Sequence, residues 1–250
     1  LGDVSLYASL QGARDASCFG EADTALLCRT IAQLPHIQFR VPQYFDFSLC
    51  YPVSEFNERT VMWDLNYFKY CFLKGTGIEF SEPRLEDDFD HLVQVITAQP
   101  ADAFLYRDCQ SRNIMIKDGK PYFIDFQGGR RGPTQYDVVS LLWQAKANLS
   151  PALREQLIAE YLDELEKIEI TNHQSPITNR ASWLSALPHF VLLRTLQVLG
   201  AYGYRGYFER KQHFLESIPL ALKNLSEVMA ELKDEYPYLY AISNDLLFLV

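Results

Sequence analysis

Apolar residues three and four positions apart recur through most of the chain, which is the period of a helix with one buried face. Residues 20–34 read as a helix ending before Pro35, and residues 59–73 as a second, stopped by Lys74-Gly75. Residues 82–98 alternate acids with Phe89, Leu92, Val93 and Ile96 at helical spacing. Beyond Pro133 the same period returns over residues 136–146, 151–168, 183–202 and much of 208–232. These segments predict a mainly α fold. No internal repeat or low-complexity linker interrupts them, and no apolar run is expected to reach membrane-spanning length.

The pattern changes at residues 104–116, FLYRDCQSRNIMI, where a charged centre stands between two apolar ends. A buried strand would not carry Arg-Asp followed by Gln, Ser, Arg and Asn, and a solvent loop would not be anchored by Phe-Leu and Ile-Met-Ile. Ile114-Met115-Ile116, the turn Lys117-Asp118-Gly119-Lys120, and Tyr122-Phe123-Ile124 then predict a short hairpin. Asp-Gly supplies the positive φ of a tight two-residue turn. The expected class is therefore α+β, helical with small β hairpins near the middle.

Composition narrows the chemistry. With 250 residues the chain has ample length for a core, and a net charge of -9 argues against a broad nucleic-acid footprint. The first residues lack the basic and apolar regions of a signal peptide. The five cysteines (Cys18, Cys28, Cys50, Cys71 and Cys109) are scattered and never in C-x-x-C spacing, so a reducing cytoplasm fits better than a disulfide framework or a zinc site.

The hairpin should bring Asp108, Asn113 and Asp125 to the ends of short strands, where their side chains can converge. Phosphoryl transfer wants this set: one carboxylate to take the proton of an attacking hydroxyl, and a second carboxylate with an amide oxygen to hold Mg²⁺. Hard oxygen donors suit that ion.

These residues also carry a resemblance. YRDCQSRN resembles the H-R-D-x-x-x-x-N catalytic loop of kinases, and IDFQ resembles their D-F-G metal motif. RDCQSRNIMI, followed by YFIDFQGGRRGPTQYDVVSLL, resembles the aminoglycoside phosphotransferase and choline kinase-like superfamily. Within it the chain looks most like bacterial anomeric sugar kinases acting on N-acetylmuramic acid and N-acetylglucosamine, and LLRTLQVLGAY and FLESIPLAL share that likeness.

The resemblance implies an ATP-dependent kinase with Asp108 as catalytic base and Asn113 and Asp125 as Mg²⁺ ligands. Tyr106 stands where the family loop has His, and Asp137 is expected to accept hydrogen bonds from the loop backbone. Arg107, Arg112 and Gln127 are phosphate or substrate candidates, although the arginines could equally pair with nearby acids. Asp64 and Asn66 fall on the family's acceptor-binding insertion. Arg194 and Gln197 share one helix face and could bind sugar hydroxyls, or pair within the fold. Tyr202, Tyr204 and Tyr207 could stack on a sugar or fill a core, and His189 and His213 read as structural.

Residues 1–68 contain no Lys, and Gly2, Gly12 and Gly20 form no glycine-rich phosphate loop. LGDVSLYASL resembles instead the hinge that follows the family's small lobe. The implied reading of residues 1–250 is a protein-kinase-like C-terminal lobe, with residues 1–15 a hinge remnant and residues 104–127 the catalytic and metal-binding loops. The nucleotide lobe would lie upstream, and the chain alone would be inactive. A choline, amino-alcohol or aminoglycoside kinase lobe and a pseudokinase-like binding module are the alternatives. The expected partner is a small molecule, with neither nucleic acid nor membrane.

Overall fold

The computed structural model describes residues 2–168 and 179–248. It is mostly helical, with two small antiparallel sheets, and its chain divides into two compact units.

The first unit comprises Leu1–Phe56 with Pro100–Leu184. Strands β1 (Val4–Ser5), β3 (Ile114–Lys117) and β4 (Lys120–Phe123) form one sheet in the order β1-β3-β4. Lys117 pairs with Lys120 across a turn in which Asp118 and Gly119 both have positive φ, 51° and 70°. That is the backbone a right-twisted two-residue hairpin needs, and Asp-Gly adopts it at little cost. Strands β2 (Ala103–Leu105) and β5 (Arg130–Gly132) form the second sheet, with Phe104 opposite Arg131. A Cβ on Gly129 would lie 2.3 Å from the Phe104 ring, so only glycine lets the chain enter β5 this close to β2. The helices Glu21–Ile31 and Leu34–Arg40 pack on the helix Pro151–Glu166. Ile31, Leu34, Leu157, Tyr161 and Leu165 are buried in the core of this unit.

The second unit comprises Asn57–Gln99 with Ser185–Val250. The helices Glu58–Phe68 and Glu82–Thr97 pack together, and Pro237–Leu247 packs on both Glu82–Thr97 and Ile218–Leu232. Asn57 caps the first of these, its side-chain oxygen accepting from the Thr60 N–H at 3.2 Å. Leu65, Phe68, Phe89, Leu92, Phe190, Leu193, Met229 and Tyr236 are buried here.

Several boundaries differ from the sequence expectation. Pro35 does not end a helix: the first stops at Ile31 and Pro35 sits in the first turn of Leu34–Arg40, where its missing N–H costs nothing. Lys74-Gly75 is not the stop of the second helix. The chain passes through a π-helical turn, Lys69–Leu73, and ends at Gly77, whose φ is 79°. Residues 208–232 are broken between Phe208 and Gln212, and the long helix there is Ile218–Leu232.

One helix among the described residues, Arg180–Phe208, is long and apolar enough to cross a membrane, against the expectation of none. Two thirds of its most apolar window, 67%, is buried inside the protein, so its apolarity is that of a core helix. No disulfide joins the five cysteines.

Candidate active site

The charged centre of FLYRDCQSRNIMI leaves β2 and returns as β3. Between them the chain makes a tight loop in which Asp108 N–H donates to the Tyr106 carbonyl at 3.0 Å and Asn113 N–H donates to the Gln110 carbonyl at 2.8 Å. A short 3₁₀ turn, Ser111–Asn113, closes the loop, and Gln144 holds it by accepting from the Ser111 N–H and hydroxyl at 3.1 and 2.7 Å.

Asn113 donates its side-chain N–H to the Asp108 carbonyl at 3.0 Å, which leaves its amide oxygen as an acceptor. The backbone carbonyl of Asn113 accepts from Ile124 N–H at 2.9 Å, so Asn113 and Asp125 stand side by side at the same end of the β3–β4 hairpin. Asp125 is exposed and has φ 68°, a left-handed conformation that a carboxylate residue tolerates better than most. The turn after it, closed by Gly129 N–H to the Phe126 carbonyl at 2.9 Å, brings Gly128 beside Asp108. An added Cβ there would lie 3.5 Å from the Asp108 carboxylate oxygen. One polar mouth therefore gathers Asp108, Asn113 and Asp125.

Two links hold that mouth. The Asp137 carboxylate, fully buried in the first turn of the helix Gln135–Leu142, accepts from the Tyr106 N–H at 2.7 Å and the Arg107 N–H at 2.8 Å. Arg107 has φ 72°, and these two bonds help fix that unusual backbone. Burial pushes the Asp137 carboxyl up to about 7, against the N–H donors of Tyr106, Arg107 and Gln38 that favour its charged form. Tyr106 supplies the second link, its hydroxyl donating to the Ile124 carbonyl immediately before Asp125. Its ring packs edge-on against Phe104 and Phe123. Burial, then the nearby Cys109, Asp125, Asp137 and Asp108, push the phenol's pKa up, so it remains a donor.

The donor set fits a hard divalent cation. One amide oxygen and one carboxylate suit Mg²⁺, which takes one or two protein oxygens and completes its shell with water and phosphate. Among the described residues no group of three or more His, Cys, Asp or Glu is placed to hold a metal ion.

The other candidates lie as follows. Arg112 is exposed, with its guanidinium 4.6 Å from the Tyr7 ring centroid. Gln127 is exposed in the turn after Asp125, while Arg107 is half-buried in the loop with its side chain beside Gly128. Asp64, Asn66 and Arg194 belong to the second unit, where Asp64 and Arg194 are buried and Arg194 donates to Gln197 on its own helix. Tyr204 and Tyr207 are partly exposed, stacked against Phe208 and Phe72 respectively, and Tyr202 contacts Phe214. His189 accepts or donates at the Tyr236 hydroxyl, 2.8 Å away. Gln38, Thr134, Tyr161 and Trp183 were not singled out from sequence. A glutamine inside the apolar helix Leu34–Arg40 was the one available signal.

Residues 61–170 match the model of the phosphotransferase enzyme family, APH. The chain is 26% identical over 200 residues to N-acetylmuramate/N-acetylglucosamine kinase of Neisseria meningitidis serogroup B, covering 78% of this chain and 58% of that protein. The chain thus spans less than two thirds of that relative's length. Among solved structures, the gentamicin complex of APH(2")-IIa matches with a TM-score of 0.56 and 12% identity, over 89% of this chain and 68% of the other. ADP-bound aminoglycoside phosphotransferase APH(2'')-Ib matches with a TM-score of 0.53 and 12% identity, over 94% and 71%. Residues 61–170 therefore resemble the phosphotransferase enzyme family, and the chain's fold is similar to that of the aminoglycoside phosphotransferases.

Proposed function

We propose that this chain is the large, C-terminal lobe of an ATP-dependent small-molecule kinase whose acceptor is an amino sugar, with its nucleotide-covering lobe upstream in a longer cytoplasmic protein. The observation that carries the reading is the convergence of Asp108, Asn113 and Asp125 at one end of the β3–β4 hairpin, held from behind by Asp137. The similarity to a kinase named for N-acetylmuramate and N-acetylglucosamine supports the acceptor class. The ADP in a structural neighbour supports the nucleotide.

The residues divide the work. Asp108 takes the proton of the acceptor hydroxyl as its oxygen attacks the γ-phosphorus. The new P–O bond forms while the bond to ADP breaks, and the proton stays on the Asp108 carboxyl until solvent removes it. Asn113 and Asp125 would hold Mg²⁺, which supplies neutralisation of phosphate charge when bound. Gly128 leaves the approach to Asp108 open, and Tyr106 and Asp137 hold the loop in place.

The truncated-lobe reading is supported by the first Lys of the chain. Lys69 is buried and bonded to Glu82 and Glu86 at 2.9 and 3.2 Å, which leaves it committed within its own unit. The strand Lys that pairs with nucleotide phosphates would come from upstream. The test is ATP consumption by the full-length protein with N-acetylmuramate, N-acetylglucosamine, choline and an aminoglycoside. Turnover with the amino sugars is the expected result. Turnover with choline or the aminoglycoside alone would reassign the acceptor, and none with any would overturn the kinase reading.

A further inference from the structure

Behind Asp137 lies a buried polar chain with no part in the chemistry just described. Gln38, fully buried in the helix Leu34–Arg40, donates its amide N–H to the Thr134 carbonyl at 3.2 Å and to the Asp137 carboxylate at 3.4 Å. Its amide oxygen accepts from the Tyr161 hydroxyl at 2.6 Å. Tyr161 belongs to the helix Pro151–Glu166 and stacks on Trp183, whose indole N–H donates to the Thr134 hydroxyl at 2.8 Å. The same Asp137 oxygen that meets Gln38 accepts the Tyr106 N–H.

We propose that Gln38, oriented by Tyr161, is a positioning residue that keeps Asp137 an acceptor and thereby holds the Asp108 loop in its working shape. This rests on the kinase reading. A buried amide beside a buried carboxylate can turn either end toward it. The Thr134 carbonyl can only accept, so it requires the N–H end on the Asp137 side, and the Tyr161 hydroxyl, donating at 2.6 Å, holds the oxygen end away. If Asp137 takes up a proton, one of its oxygens becomes a donor. The loop amides then lose an acceptor, and such charge-assisted bonds are worth about 1.5–3 kcal/mol each. The 3.4 Å contact is the longest link, so its loss should loosen the loop rather than unfold the unit. Asp108, Tyr106, Tyr161 and Cys109 are the other titratable groups around this chain, and the cationic residue Arg107 meets Asp137 through its backbone N–H.

The test uses Gln38→Met, and Gln38→Met with Tyr161→Phe, which removes both partners so that no hydroxyl is stranded. Amide hydrogen exchange at Tyr106 and Arg107 should speed up about 10-fold in both variants, a population change of that factor in the open loop. Exchange across the helix Pro151–Glu166 should change far less. In the full-length protein, the acid limb of the kcat profile should move to higher pH, with activity recovering as pH rises. Uniform acceleration of exchange across the unit would mean that Gln38 only stabilises the core, and would overturn the proposal. So would an unmoved pH profile in an active protein. A wild-type protein that never turns over, yet shows the local exchange change, would remove the kinase reading while leaving the positioning of the loop intact.

Discussion

In the proposed kinase Asp108 and Asp125 would have different tasks at one mouth, and substitution separates them. Asp108→Asn in the full-length protein keeps the size of the side chain but removes the proton acceptor. Turnover should fall about 10²- to 10⁴-fold, the usual contribution of a positioned general base. Its melting temperature should stay within about a degree or two, because no bond from the Asp108 side chain holds the fold together. Asp125→Ala should instead weaken binding of Mg-nucleotide while leaving metal-free nucleotide binding nearly unchanged, a difference that calorimetric titration resolves. Equal magnesium dependence in the variant and wild type would place the metal on other ligands. His189 makes a prediction of the opposite kind. Burial holds its pKa below 6.5, with Glu235 opposing and His91 assisting that shift. A depressed histidine adds stability that is present above pH 6.5 and is lost as pH falls below it. Denaturant titrations between pH 7.5 and 5 should show that loss, and His189→Gln should flatten it.

The elements show why part of the fold could be read in advance and part could not. The β3–β4 hairpin was legible because its turn is written locally: Asp118-Gly119 adopts positive φ wherever it stands. The helix Glu82–Thr97 was legible because Leu85, Phe89, Leu92, Val93 and Ile96 recur at helical spacing and are buried. Strand β5 was not. Arg130-Arg131-Gly132 has no strand propensity, and it pairs only because β2 lies waiting and Gly129 lets the two approach. Pro35 misled for a similar reason, since a proline that ends one helix and one that starts the next look alike until the chain's direction is known. At the site, Asp108, Asn113, Asp125 and Asp137 had recognisable spacing, whereas Gln38 and Tyr161 meet Asp137 only through tertiary packing. The glycine at the β5 entrance is therefore the element-level test. Gly129→Ala should destabilise the protein by about 1–3 kcal/mol through overpacking against Phe104, measurable by denaturant titration. A neutral result would mean that β5 enters by another path.

At the scale of the whole molecule, the proposed kinase would have its base and metal ligands within residues 1–250 and would draw the rest of its phosphate cradle from elsewhere in the full-length protein. Phosphoryl transfer depends chiefly on positioning and charge neutralisation, so a nucleotide with one wall missing should bind weakly and react slowly. Each unit has a buried apolar core of its own, and the chain by itself should fold cooperatively. The measurement that bears most directly on this is formation of sugar phosphate from ATP and N-acetylmuramate or N-acetylglucosamine by the full-length protein, run beside its Asp108→Asn variant. The expected result is product from the wild type and a loss of about 10²- to 10⁴-fold in kcat for the variant. Equal rates in the two proteins would contradict it.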